Sequence, residues 1–247
     1  MKPALLGKRP RYPRQWQELP AGDQLRQATE LALSDICRQM FGYYLLCVGD
    51  LSCQVTVKGC PIKQVIRMAD EPAPYVSAVG NASEFPLQKR SVDAVLLAHE
   101  LDFAQDPHQI LREAERVLLP NGYLVISGFN PFSLAGLLKY LPVNPRQILH
   151  DARFFSSVRL KDWLNLLGFE VLETHPLVFS ELFFERKIPI EGRWQLWCKR
   201  YLPLLASSYL IVAKKRVRPL SLVRPKWRPK PNFSAVGASM REQSHPG

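Results

Sequence analysis

The clearest pattern of apolar and polar positions lies in "SVDAVLLAHE", where Val95, Leu96, Leu97 and Ala98 run without interruption, as in a strand buried on both faces of a parallel sheet. The period then changes. In "DPHQILREAERVLLP", Ile110, Leu111, Ala114, Val117 and Leu118 fall on one helical stripe, with Asp106 placed as N-cap and Pro107 in the first turn. Pro120, Asn121 and Gly122 stop the helix, and "YLVISGF" resumes as a strand. Strand, helix, turn and strand in that order predict a right-handed crossover unit whose polar residues gather at the carboxyl ends of the strands.

The same reading extends to both sides. "GDQLRQATELALSDICRQM" spaces Leu25, Ala28, Leu31, Ile36 and Met40 as an amphipathic helix leading into the strand "YYLLCV", and "QVIRMAD" reads as a second strand. Further on, "SVRLKDWLNLLGFEVLETH" repeats helix, Gly168 turn and strand. Residues 176–204 read as a substrate-side insertion plus a helix. "SSYLIVAKKR" is the last strand, expected antiparallel because little chain remains for a crossover. The pattern predicts one α/β domain over residues 22–215, with a flexible basic arm over 1–21 and a basic, proline-rich tail over 216–247.

Composition narrows this picture. At 247 residues and 47% apolar content the chain can bury a large core. No run approaches the roughly 18 apolar residues of a membrane span and the amino terminus lacks a signal-like apolar stretch, so the expected location is cytoplasmic. Five cysteines without a C-x-x-C pair or compact zinc-ligand spacing favour reduced thiols. The formal charge of +11 suggests nucleic acid until it is located: residues 214–230 hold eight basic residues and no acid, and removing those eight leaves +3. The excess belongs to the tail. Its interleaved Trp, Val and Pro suit contact with nucleic acid or an anionic membrane, although a solvated tail is the favoured reading.

Three segments then occur together: "GNASEFPL", "SVDAVLLAHELDF" and "LREAERVLLPNGYLVISG". In this order and spacing they resemble the class I S-adenosylmethionine-dependent methyltransferases, and the resemblance runs from about Tyr43 to Lys215. "FNP" after the fifth strand further resembles a subgroup of bacterial methyltransferase-like proteins without an assigned substrate. The resemblance implies a Rossmann-like, doubly wound sheet of seven strands, mostly parallel with the last antiparallel. It also implies S-adenosyl-L-methionine as cofactor, bound across the carboxyl ends of the first strands where strand order reverses.

Carried over residue by residue, the resemblance makes Gly49 the first glycine of the cofactor loop, while the next two glycine positions hold Leu51 and Cys53. Side chains there suit either an altered working loop or lost cofactor binding. Asp70 occupies the place of the acidic residue that binds the ribose hydroxyls, or is a turn residue. Only ten residues separate it from Asn81, which leaves little room for a crossover helix. Asn81 and Ala82 correspond to the adenine-reading segment, with Asn81 in place of a carboxylate; a capped turn is the competing reading. Ala98 and His99 face the methionine half of the cofactor. Glu100, Phe129, Asn130 and Phe132 are expected in the substrate pocket.

Methyl transfer from a sulfonium is an in-line displacement, so the protein must align a nucleophile and, for a weakly acidic one, remove its proton. His99 is the natural base in the titratable group His99, Glu100 and Asp102; a pocket-wall histidine is the alternative. Neither that trio nor His99 with His108 has metal-ligand spacing, and no metal is expected. No G-x-x-x-x-G-K-[ST] motif is present, and a nicotinamide-binding domain would need glycines that this chain lacks. The expected function is methyl transfer to an unidentified acceptor, with a lean toward a small molecule; the alternative is an inactive methyltransferase-like binding or scaffolding module.

Overall fold

The computed structural model describes residues 10–139, 147–179, 182 and 205–216. The basic tail and most of the 176–204 segment lie outside the described residues. Within them, the elements in chain order are α1 (Gly22–Cys37), β1 (Tyr44–Val48), α2 (Asp50–Cys53), β2 (Gln64–Ala69), β3 (Ala78–Val79), β4 (Val92–Ala98), α3 (Pro107–Val117), β5 (Leu118–Phe129), α4 (Leu134–Leu138), α5 (Ser157–Leu166), β6 (Phe169–Val178) and β7 (Ser208–Lys215). No helix among the described residues is long and apolar enough to cross a membrane.

The strands form one sheet in the order β3-β2-β1-β4-β5-β7-β6. All pairs from β3 to β5 are parallel, and β7 runs antiparallel to both β5 and β6. This is the expected sheet, last strand included. From β1 the chain moves outward to β2 and β3, then returns to the other side of β1 for β4 and β5. The loops leaving β1 and β4 therefore diverge, which opens a crevice at their carboxyl ends.

Burial follows the alternation of side chains along each strand. Leu45 and Cys47 of β1, Ala94, Leu96 and Ala98 of β4, and Val125 of β5 pack on the face covered by α1 residues Leu25, Leu33 and Ile36. Leu46 and Val48, Val95 and Leu97, and Leu124 and Ile126 pack on the opposite face, against α3 and α5. The uninterrupted apolar runs follow from this two-sided cover.

Local chemistry sets the element boundaries. The Asp106 carboxylate caps α3 by accepting from the amides of His108 and Gln109 at 3.0 and 3.2 Å. At the other end, Lys215 Nζ donates to the Leu118 carbonyl at 3.1 Å and pairs with Glu115 at 2.8 Å, tying the helix terminus to β7. Between β2 and β3, residues 70–77 contain no helix, as their length and prolines suggested.

The amino-terminal segment departs from the expectation of a flexible arm. Trp16 and Leu19 are buried in the same apolar cluster as α1 and α2, and Trp16 Nε1 donates to the Leu51 carbonyl at 3.0 Å. From residue 10 onward the segment is packed against the domain.

Candidate functional site

The site begins at the end of β1. Gly49 has φ +85° and ψ 156°, a conformation reserved in practice for glycine, and its amide donates to the Met68 carbonyl at 2.8 Å. The chain then turns at once into α2. This short turn decides the fate of the two missing glycines: Leu51 and Cys53 direct their side chains into the apolar core, where both are buried. The Cys53 thiol lies 3.6 Å from the Cys47 carbonyl and 3.5 Å from the Met68 carbonyl, and burial pushes its pKa upward. The space against the Gly49 α-carbon is taken instead by Glu100 and Tyr12. A Cβ on Gly49 would collide with the Glu100 carboxylate and the Tyr12 hydroxyl, which are hydrogen-bonded to each other.

Carboxylates gather around this point. Asp50 follows Gly49 and accepts from the Tyr75 hydroxyl at 3.2 Å. Its pKa is raised, first by burial and then by the negative charges of Asp70 and Glu71, while the Tyr75 hydrogen bond and Arg14 oppose the rise. Asp70 thus stands just past β2, close enough to act on Asp50. An acid-rich crevice of this kind favours a ligand carrying positive charge.

The β3 side is more exposed. Asn81 is at the surface, and its side-chain oxygen accepts from the Ser83 amide at 2.8 Å, which is the capped turn of the competing reading. The oxygen retains a second lone pair. Ala82 is buried beneath it with Phe85.

At the end of β4 the arrangement tightens. The Ala98 amide donates to Ser52 Oγ at 2.7 Å, joining β4 to α2. His99 follows at φ +54°, uncommon for a residue with a side chain, and is fully buried. Its Nδ1 lies 2.9 Å from Asp102 Oδ2, which also accepts from the Phe129 amide at 3.1 Å. Burial raises the Asp102 pKa, while the His99 contact and the Phe129 amide oppose it. The imidazole is held between rings: Phe129 lies 4.1 Å away between centroids, and Trp16 approaches edge-on at 5.8 Å. Phe154 continues the stack, 5.1 Å beyond Phe129. Among the described residues, the buried His99 Nε2 has no hydrogen-bond partner.

The expected substrate-pocket residues divide. Glu100 and Phe129 are buried beside Gly49 and His99 respectively. Asn130 ties strand ends together: its amide nitrogens donate to Ser207 and Ala206 carbonyls at 3.0 and 2.9 Å, and its side-chain oxygen accepts from the Phe132 amide at 3.1 Å. Phe132 is 70% exposed and does not share in the buried group. Sequence reasoning missed Tyr12, Asp50, Ser52 and Trp16. The signal available for the first and last was a pair of aromatic residues within a supposedly solvated arm.

Comparison with known proteins agrees with this architecture. The methyltransferase domain family matches residues 44–126. YafS of Escherichia coli K12, a protein described as uncharacterised, is 38% identical over 241 residues and the match covers 97% of each chain. Among solved structures, a methyltransferase dependent on S-adenosylmethionine from Archaeoglobus fulgidus superposes with a TM-score of 0.55 at 20% identity, covering 77% of this chain and 94% of its own. The [4+2]-cyclase SpnF superposes with a TM-score of 0.53 at 19% identity, covering 87% of this chain and 86% of its own. These two likenesses show the fold alone, and SpnF shows that the fold carries more than one kind of chemistry.

Proposed function

Because the chain belongs to the class I S-adenosylmethionine-dependent methyltransferase family, in a branch shared with YafS, we propose that it transfers a methyl group from S-adenosyl-L-methionine to a small molecule bearing an O–H or N–H nucleophile. The observation that carries the reading is the meeting, at the switch in strand order, of Gly49 in a glycine-only conformation with the buried His99–Asp102 pair. The acid-rich rim suits the cofactor, which carries sulfonium and ammonium charges. Bound there, it supplies an electrophilic methyl group.

The chain's own residues have distinct tasks in this scheme. Gly49 admits the ligand close to the main chain, Asp70 accepts from ribose hydroxyls, and Asn81 with Ala82 receives the adenine edge. With Asp102 ionised, Nδ1 of His99 carries the proton and Nε2 presents a lone pair, so His99 can take the acceptor's proton as the nucleophile forms its new bond. Phe129 and Phe154 give the acceptor side an apolar, aromatic wall. The mild charge of the body supports a small acceptor over nucleic acid.

Calorimetry of purified protein, freed of cofactor, with S-adenosylhomocysteine tests the cofactor half. A saturable heat is expected; no heat and no thermal shift at millimolar ligand in a folded sample would reject it in favour of a scaffolding module. Binding of tRNA or rRNA retained after truncation at Lys215 would reject the small-molecule half.

A further inference from the structure

The segment from Pro10 to Leu19 crosses the mouth of the crevice and touches the loops that follow β1, β2 and β4. Arg11 pairs with Asp151, Tyr12 donates to Glu100 beside Gly49, Arg14 Nη2 meets Glu71 past β2 at 2.5 Å, and the Arg14 carbonyl accepts from Gln54 just past α2. Trp16 then anchors under the loop through the Leu51 carbonyl and covers His99 with its ring edge. A ligand that packs against the Gly49 α-carbon must take the volume held by the Tyr12 hydroxyl and the Glu100 carboxylate.

The two halves of the segment are held differently. Trp16 and Leu19 sit in the core, and a single 3-10 turn over Trp16–Glu18 fixes their spacing. Before Trp16, among the described residues, no main-chain hydrogen bond ties residues 10–14 to the sheet. That half is held by side chains: Tyr12 packs against the core, edge-on to Phe103 at 6.1 Å between ring centroids, and Pro13 is buried, while both ion pairs are largely exposed, where such pairs contribute little. Gln15, exposed and extended, joins the halves.

The geometry points to a gate: residues 10–15 form a lid hinged at Gln15, latched by Tyr12 on Glu100, which swings away while Trp16 stays buried to admit the cofactor to Gly49. This inference rests on the cofactor reading above.

Surface plasmon resonance of S-adenosylhomocysteine on full-length protein, Tyr12→Phe and Arg14→Ala tests the gate. Tyr12→Phe removes one hydroxyl and keeps the ring, and unchanged thermal melting verifies that it folds. Losing a hydrogen bond to a carboxylate should raise the association rate about tenfold in Tyr12→Phe, with a smaller rise in Arg14→Ala. Hydrogen exchange supplies a second readout: the amides of Arg11, Tyr12, Arg14 and Gln15 should exchange far faster than those of β1 in ligand-free protein and slow on binding. Wild-type and variant association rates within twofold of each other would overturn the gate and leave the cofactor reading intact. A faster dissociation alone would make Tyr12 a ligand contact and also overturn it. Failure of the wild type to bind would remove the cofactor reading and the gate together.

Discussion

His99 and Asp102 hold each other 2.9 Å apart in full burial, three residues apart in sequence, at the one point where β4 leaves the sheet in a left-handed conformation. The positive φ turns the imidazole back under the strand end, where the carboxylate and the Phe129 ring fix it from two sides. A histidine placed this way is oriented before any ligand arrives.

If the acceptor must lose a proton, His99→Gln should lower turnover by roughly 10², or about 2.7 kcal/mol of barrier, while leaving S-adenosylhomocysteine affinity nearly unchanged. Steady-state rates from about pH 5.5 to 9, taken with calorimetry, check this. An unchanged pH profile with near-normal turnover would reduce His99 to a pocket wall. Asp102→Asn should lower turnover too, because an amide oriented by the Phe129 amide no longer fixes the Nδ1–H tautomer.

Gly49→Ala should destabilise the domain by about 1–3 kcal/mol through backbone strain and abolish S-adenosylhomocysteine binding, because the methyl group itself fills the space against the main chain that the ligand would enter. Gly168→Ala is the control: φ is +87° there but the Cβ meets open space. It should show strain in urea unfolding and bind ligand normally. Equal binding by the two variants would remove Gly49 from the site.

Restoring a glycine to the loop should fail. Leu51 is fully buried in the core, so Leu51→Gly should cost at least the ~2–5 kcal/mol of a buried leucine truncation without strengthening cofactor binding. A tighter-binding, equally stable Leu51→Gly protein would show that the leucine obstructs the site.

Alkaline pH should destabilise the fold through its buried thiols. Burial pushes Cys47 from an ordinary value of 9.0 up to about 12. The folded state therefore keeps a proton that the unfolded state releases, and stability present below pH 9 is lost as pH rises toward 12. Urea unfolding between pH 9.5 and 11.5 should show a pH slope shallower by up to about 1.4 kcal/mol per pH unit in Cys47→Ala than in the wild type. Tyr12 and Tyr209, raised by burial, add to the wild-type slope above pH 10.

Much of the architecture was legible in the sequence because it rests on short-range patterns. The apolar run at Val95–Ala98, the Asp106 cap and the stripe of α3 report burial and capping within a few residues of themselves, and the short link after Asp70, with its two prolines, leaves little room for a helix. The direction of β7 followed from the chain left to reach it. His99, Glu100 and Asp102 were visible as a group because they are neighbours along the chain.

What the sequence determined by itself was therefore the order and type of elements, the switch point and the identity of the groups at one strand end. Only the tertiary structure decided where the side chains around Gly49 go. Leu51 and Cys53 stand at loop positions in sequence, yet a single helical turn rotates them into the core, and the volume they were expected to fill passes to Glu100 and to Tyr12, 37 positions before Gly49. Long-range packing is the physical reason: Trp16 is buried against residues of α1 and α2 and beside His99, the last two distant in sequence, and that burial holds a basic, proline-rich stretch across the crevice when its composition alone reads as a solvated arm.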